Sequence, residues 1–354
     1  MDKIYKILGM NLGSSSTKLV YYENENCIVK ENLIHPADEL RGFATIWLQY
    51  DYRKAAIEDF CRRHGINAAA LDAVVTRGGH SEPLDGGVWR ITEKMQSQSE
   101  SEMYGVHATD LGVKIAYTMG PPAYTVDTAN TDEFEPFARY SGHPLLPRRC
   151  SFHALNQRAV GKQYARDIGA SYESLNLIVA HMGGGITIGA HKKGRVIDVN
   201  NGLDGDGPFS TNRTGSLPVG ALVKLCYSGK YTYSEARMML NGKGGMMAYV
   251  DENDALTVER GALAGDKKAR EVLGAMCYQV GKEIAAQAAA LKGEVDAILL
   301  TGGMANSNML IGDISAYVSF IAPIVVYPGE LEMQSLALHT LAALRGEIKA
   351  KEMV

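Results

Sequence analysis

The sequence has no apolar run approaching the roughly 18–20 residues of a membrane helix, so no membrane span is expected. It also lacks an excess of positive charge. Its 36 Lys and Arg stand against 40 Asp and Glu, a net charge of −4, without the electrostatic footprint of a nucleic-acid binder. Cysteine is sparse and unpatterned: Cys27, Cys61, Cys150, Cys226 and Cys277 are odd in number and never form a CxxC pair. That excludes a disulfide frame or a cysteine zinc site and indicates free thiols in a reducing compartment. Met1 to Met10 contains Lys3 and Lys6, but neither the long apolar segment nor the small-residue cleavage site of a secretory signal. Low-complexity tracts and long linkers are missing as well. What remains is an ordinary globular balance, 46% hydrophobic and 21% charged over 354 residues, a length suited to two domains. The expectation is a two-domain, cytoplasmic protein with no membrane and no nucleic-acid partner.

Short β-capable runs bracket small polar loops. Ile4 to Met10 leads into Asn11-Leu-Gly-Ser-Ser-Ser-Thr-Lys18, followed by Leu19-Val-Tyr-Tyr22, which reads as a hairpin. A second such unit begins at Leu175 to Ala180. It continues through His181-Met-Gly-Gly-Gly-Ile-Thr-Ile-Gly189, a turn at His191 to Gly194, and a third strand, Arg195 to Val199. Asn11 and His181 are 170 residues apart, and at that offset Gly13 falls on Gly183 and Thr17 on Thr187. This spacing is a domain duplication, not a solenoid period.

Helical periodicity separates the strands. Thr45 to Gly65 reads as a helix stopped by His64-Gly65. Asp266 is an N-cap for a long helix with Ala269, Val272, Leu273, Met276, Val280, Ile284, Ala288 and Leu291 on one face. Val295 to Thr301 is then a buried strand running into Gly302-Gly303, a nucleotide-facing turn. Pro121-Pro122 and Gly142-His143-Pro144 mark breaks, the second near the domain crossover. The pattern is α/β with a sheet in each domain.

Glycine loops expose successive backbone N–H groups that cradle phosphate oxygens. Gly13 to Ser16 adds hydroxyl donors and Lys18 adds a charge, while Gly183-Gly184-Gly185 permits close approach. Either loop alone could be a plain hairpin turn; two after equivalent strands point to phosphate. A Walker A is excluded, because no Gly-Lys pair (at Lys162, Lys230, Lys243 or Lys282) is followed by Ser or Thr. HRD and DFG are missing, and GxGxxG fails because Ile188 stands at its final position.

This arrangement resembles the acetate and sugar kinase, Hsp70 and actin superfamily. Within it, several motifs are similar to the butyrate kinase branch of the acetokinase family. They are Asn11-x-Gly-Ser-Ser-Ser-x-Lys18, Val126-Asp-Thr128, Ser141-Gly-His-Pro144 and Arg148-Arg-Cys-Ser-Phe-His-Ala-Leu-Asn-Gln157. Ala180 to Ala190, Asp198 to Ser210, Arg213-Thr-Gly-Ser-Leu-Pro218 and Val326-Tyr-Pro-Gly-Glu330 complete the set, which spans about residue 5 to 345. The resemblance implies two duplicated ribonuclease-H-like (actin-like ATPase) domains with an interdomain nucleotide cleft that closes and excludes water. The first would cover 1–145 plus a C-terminal helix, 331–354, and form the acid and phosphate side. The second, 146–330, would form the nucleotide side.

The implied reaction is reversible transfer of a phosphoryl group from ATP to a short-chain carboxylic acid. Such an acid is already ionised at pH 7, so the difficulty is the approach of two anions, met by positioning and positive charge. By resemblance, Arg213 contacts the transferred phosphoryl, His153 donates to it and Asp127 lies near the metal. Asn11, Ser14, Ser16, Lys18, His181 and Gly183 to Gly185 attend the nucleotide phosphates, while Gly302, Gly303 and Asn306 face the adenosine. Glu330 with Asn11 holds Mg²⁺, and Glu332 is the rival assignment for the carboxylate. In isolation Arg213 would read as a surface ion-pair residue, His153 as a core histidine and Asp127 as a turn residue. The stretch Val74-Val-Thr-Arg77-Gly-Gly-His80 has the butyrate branch's arginine beside its diglycine, so Arg77 is expected to pair with the substrate carboxylate. His80 stands where that branch carries an apolar residue and is expected near the acid pocket. A homo-oligomer, most simply a dimer, is also implied. Two rivals stay open: a kinase for a hydroxyl substrate with Asp127 as base, and a non-enzymatic, ATP-gated interaction protein.

Overall fold

A computed structural model describes residues 3–353; the expectations made for Met1, Asp2 and Val354 lie outside the described residues. The chain divides into two compact units, one running to Asp132 and resuming at Leu331, the other Glu133–Glu330.

The first unit holds a six-stranded sheet. Strands β1 (Lys6–Leu12), β2 (Ser16–Glu23) and β3 (Asn26–Ile34) form an antiparallel meander. β4 (Ala73–Thr76) and β6 (Ala123–Val126) run parallel to β1, and β5 (Val88–Arg90) closes the edge antiparallel to β6. The spatial order is β3-β2-β1-β4-β6-β5. β1 and β4 are apolar nearly throughout because the central strands are covered on both faces. Ile57 and Phe60 of helix Tyr50–Arg63 and Leu111 and Ile115 of helix Ala108–Thr118 join Leu8, Met10 and Val74 in the core. The first of these helices is shorter than Thr45–Gly65: Trp47–Gln49 forms a single 3-10 turn ahead of it, and the chain leaves at Gly65 with φ +65°. The last helix, Glu332–Leu344, packs on β1, β4 and β6 through buried Met333, Leu336, Ala337 and Leu341.

The second unit repeats the topology. β7 (Asn176–Met182), β8 (Ile186–Lys192) and β9 (Arg195–Val199) form the meander. β10 (Ala297–Gly302) and β11 (Ile324–Pro328) add parallel strands, in the order β11-β10-β7-β8-β9. In both sheets the unit's first strand is central, its meander lies on one side and the later parallel strands on the other. Helix Lys267–Ala290 begins where Asp266 accepts the N–H groups of Lys268 and Ala269. It buries the predicted face, Val272, Leu273, Met276, Val280 and Ile284, in the core of this sheet. Each such side chain contributes about 1.5–3 kcal/mol, which exceeds anything the helix gains from propensity.

Two details differ from the sequence reading. The first concerns the repeat. Asn11 pairs with Lys18 but His181 pairs with Thr187, so the first hairpin loop is one residue longer. Thr187 therefore occupies the place of Lys18, not of Thr17. The second concerns the crossover, expected near residue 145. The units part at Asp132 because Glu133 makes a buried ion pair with Arg158 at 2.9 Å and Phe134 packs with Phe152, Val196 and Val199.

Candidate active site

In the second unit several of the predicted site residues gather at the β7–β8 turn. Gly183-Gly184-Gly185 joins the strands, and the guanidinium of Arg213 lies directly over it. A Cβ at Gly185 would sit 2.1 Å from Arg213 Nη1, so only glycine lets the arginine approach. Arg213 is brought there by a tightly built loop. Ser210 N–H donates to Arg213 O, Met246 N–H to Ser210 O and Met247 N–H to Thr211 O. Gly215, at φ +58°, crosses the Pro208 backbone where a Cβ would be 2.4 Å from the carbonyl carbon. Arg148 steadies the same loop through Asp198 at 2.8 Å and Asp206 at 3.3 Å. The Arg213 guanidinium itself makes no hydrogen bond or ion pair among the described residues, and its buried Nε is unsatisfied. Burial draws its pKa below the ordinary arginine value.

Two histidines stand beside this turn, with His153 and His181 stacked at 3.9 Å between ring centroids. Their hydrogen bonds fix their tautomers. Gln157 Nε2 donates to Thr187 Oγ1 at 2.9 Å and His153 N–H to the same oxygen at 3.4 Å. Both lone pairs are then occupied, so the hydroxyl donates to His153 Nδ1 at 2.9 Å and the ring proton sits on Nε2. For His181, Asn156 Nδ2 donates to Nδ1 at 2.9 Å and to Thr301 Oγ1 at 3.3 Å, which also leaves the ring proton on Nε2. The His181 ring lies under Gly183, with Nε2 3.4 Å from the place of a Cβ.

A cleft of about 220 Å³ opens beside the glycine turn. Gly183, Gly184 and Thr211 form one wall, and Leu256, Gly303 and Ser307 another. Of the predicted turn, Gly303 lines the cleft. Gly302 is instead packed on the Met182 backbone, and the exposed Asn306 bonds back to Gly303 O at 2.9 Å. Thr211, Leu256 and Ser307 carried no sequence signal.

In the first unit the β1–β2 loop is supported from beneath. Arg53 donates to Ser14 O at 3.0 Å and Ser16 O at 3.1 Å, and His35 N–H donates to Ser15 O at 2.9 Å. The Ser14 and Ser15 side chains are exposed, those of Ser16 and Lys18 half-buried. At the end of β1, Asn11 Nδ2 donates to Glu332 Oε2 at 3.1 Å. Arg77, following β4, meets Glu332 Oε1 at 3.4 Å through one nitrogen, the only partner of its guanidinium among the described residues. Asn11, Arg77 and Glu332 thus form one cluster, with Glu332 4% exposed on the first turn of its helix. Glu330 is exposed on the preceding turn and is counted with the other unit.

Asp127 follows β6 in the left-handed region, φ +43°, which aspartate tolerates better than most side chains. Its buried carboxylate accepts Gly87 N–H at 2.7 Å. His80 Nδ1 is 3.0 Å from Asp110 Oδ2, and the fully buried Asp110 also accepts the backbone N–H groups of His80 and His107. His107, not singled out in the sequence, joins this group. Burial lowers its pKa, and the nearby Arg77 lowers it further. Among the described residues no three His, Cys, Asp or Glu form a metal-binding group.

Residues 136–321 match the acetokinase family profile. Over 352 residues the chain is 48% identical to butyrate kinase 2 of Clostridium acetobutylicum, covering 98% of this chain and 99% of that protein. It is 46% identical over 351 residues to a probable butyrate kinase of Clostridium botulinum, with the same coverage of each. In fold it is similar to the acetate kinase of Porphyromonas gingivalis, with a TM-score of 0.79 at 19% identity, covering 96% of this chain and 100% of that one. It is also similar to a propionate kinase of Francisella tularensis, with a TM-score of 0.77 at 18% identity, covering 95% and 99%. On the sequence matches, which run nearly end to end, this chain belongs to the acetokinase family.

Proposed function

We propose that the chain is a butyrate-kinase-type phosphotransferase, moving the terminal phosphoryl group of ATP to a short-chain carboxylate and back. The observation that carries this reading is Arg213, a half-buried guanidinium with no hydrogen-bond or ion-pair partner among the described residues, held against a glycine turn that leaves room for an anion. An isolated buried charge is costly, so a site that keeps one is built for an incoming counter-charge. Nearly full-length similarity to butyrate kinases supports the substrate class.

The chemistry needs little from the protein beyond placement and charge. A carboxylate oxygen attacks the γ-phosphorus, a new P–O bond forms, the bond to the β-phosphate breaks, and ADP leaves. No proton must be removed from the acid at pH 7. Arg213 and the Nε2–H of His153 donate to the phosphoryl oxygens as charge spreads over them. The unused donors of Arg77 take the acid's carboxylate, and the cleft lined by Leu256, Gly303 and Ser307 takes the adenosine.

Asn11 and Glu332 suit a magnesium site. Mg²⁺ keeps several waters and uses one or two carboxylates plus substrate phosphates, so no preformed cage is required. Asn11 donates to Glu332 through Nδ2, which leaves its Oδ1 as an oxygen ligand. Bound there, the ion would neutralise phosphate charge. Glu332 is preferred to Glu330 because it meets both Asn11 and Arg77 from the buried first turn of its helix, while Glu330 is exposed on the preceding turn.

The reading also includes a cytoplasmic homo-oligomer. Helices Val219–Cys226 and Tyr233–Leu240 bury no residue within the chain, yet expose Val219, Val223 and Tyr233, with Tyr227 exposed just after the first helix. Such a patch is suited to a second copy. Among the described residues no helix is long and apolar enough to cross a membrane.

The test is a panel of carboxylates with Mg-ATP, trapped with hydroxylamine. Acyl phosphates give hydroxamates, so a product dependent on a three- to five-carbon acid is expected. Acid-independent ATP hydrolysis, or a phosphate ester that resists hydroxylamine, would refute the reading.

A further inference from the structure

Arg53 is a fully buried arginine, 0% exposed, in the first turn of helix Tyr50–Arg63. Buried guanidinium groups ordinarily face a carboxylate. This one faces only neutral acceptors. Nη1 donates to Ser16 O at 3.1 Å and Thr17 Oγ1 at 3.0 Å. Nη2 donates to Ser14 O at 3.0 Å and, with Nε, to Gln49 Oε1 at 3.2 Å. No ion pair of Arg53 exists among the described residues. Three of the acceptors lie on one short stretch, Ser14 to Thr17, in the hairpin loop and the first residues of β2 that the family resemblance gives to the nucleotide phosphates.

The geometry sets the loop's polarity. In a trans peptide the carbonyl and the following N–H point in opposite directions. Holding Ser14 O toward Arg53 therefore turns Ser15 N–H toward the opposite, exposed side. The hydrogen bonds also have a fixed sense. Tyr52 OH donates to Glu39 Oε2 at 2.7 Å and so accepts from His35 Nδ1–H at 3.2 Å. Nε2 of the neutral ring is then the acceptor for the Thr17 hydroxyl at 2.9 Å. Thr17 and His35 are neutral, and the carboxylate that closes the chain is at the exposed end, beyond Tyr52.

We propose that Arg53 is a positioning residue for phosphoryl transfer: it shapes the β1–β2 loop from beneath, and its uncompensated charge is completed by the phosphate bound above. This rests on the kinase reading for the identity of the anion. It differs from a packing role in one consequence. Loss of a purely structural arginine weakens every ligand alike, whereas loss of this one weakens most the ligand that brings phosphate to the loop.

The experiment compares Arg53→Met and Arg53→Lys with the native protein, measuring ATP and AMP affinity by calorimetry and kcat and KM for ATP. Expected for Arg53→Met is an ATP affinity lower by about 10–100-fold, the scale of losses from misplacing a reactive group. AMP, without the outer phosphates, should bind as to the native protein. Arg53→Lys keeps the charge and should recover part of the ATP affinity. Unchanged ATP affinity in Arg53→Met overturns the proposal. So does equal loss of ATP and AMP, which marks a structural effect, and so does a lysine variant no better than the methionine one. Should the native protein form no acyl phosphate, the kinase reading fails, and the ATP–AMP comparison still decides whether Arg53 serves bound phosphate.

Discussion

Replacing Arg213 with alanine separates catalysis from stability more sharply than any other change in this protein. In the proposed reaction the side chain would meet the phosphoryl group as a full positive charge in a half-buried site, with no carboxylate to share it among the described residues. At about 4 Å and an effective dielectric near 20, one such charge pair is worth about 4 kcal/mol. At 1.36 kcal/mol per decade that is roughly 10³ in rate, the lower end of the range for phosphoryl-stabilising arginines. Arg213→Lys keeps the charge but loses the planar fork, and should fall between the two. Gly185→Ala offers an independent route to the same loss. Its methyl would lie 2.1 Å from Nη1, displacing the guanidinium without removing it. Folding stability should move the other way or not at all, because alanine removes a desolvated cation that no protein group compensates. The assay is hydroxamate formation under saturating Mg-ATP and acid, beside thermal unfolding of each variant. A folded Arg213→Ala enzyme within tenfold of native turnover would refute the reasoning. So would a turnover loss matched by a collapse of the unfolding midpoint.

Three further outcomes are expected. Glu332→Gln should raise the Mg²⁺ concentration needed for half-maximal activity by tenfold or more while Glu330→Gln leaves it nearly unchanged; the reverse pattern, from metal titrations of both variants, would return the site to Glu330. Butyrate should be preferred to acetate by about an order of magnitude in kcat/KM, since each of two buried methylenes adds about 0.8 kcal/mol; a preference appearing only in His80→Leu would show that His80 has retuned the pocket toward another acid. Burial lowers the pKa of His35, helped by Arg53, and of His107, helped by Arg77. The unfolded chain, near the ordinary value of about 6.5, then takes up these protons more readily than the folded one. Their contribution to stability is complete above that pH and declines as pH falls through the lowered folded values. Urea unfolding from pH 7.5 to 5 should show this decline, reduced in His35→Gln, and a flat profile would contradict it.

The parts of this protein that sequence exposes are those whose cause is local. Alternating and apolar runs around glycine loops gave both hairpins, because pleat and turn are set within a dozen residues. Helix Lys267–Ala290 was readable from its stripe and its aspartate cap for the same reason. The site is harder because its decisive contacts are long-range. Glu330 and Glu332 look alike beside a Pro-Gly turn, yet Glu332 meets Asn11 across 321 positions of sequence. That contact exists because Glu332 opens a helix packed on β1. Arg53 gave no signal at all. On a helical wheel it is one more polar residue, and only the folded loop supplies its acceptors. The one-residue difference between the hairpin loops has the same origin. Glycine content proposes a turn, but strand pairing decides its length, placing Lys18 opposite Asn11 where Thr187 stands opposite His181. The duplicated scaffold thus carries unlike chemistry on corresponding strands. The first hairpin loop is longer and rests on a buried cation, while the second is all glycine and lies beneath one. Among the described residues neither loop's arginine has a carboxylate partner, and bound phosphate would supply the charge that both lack.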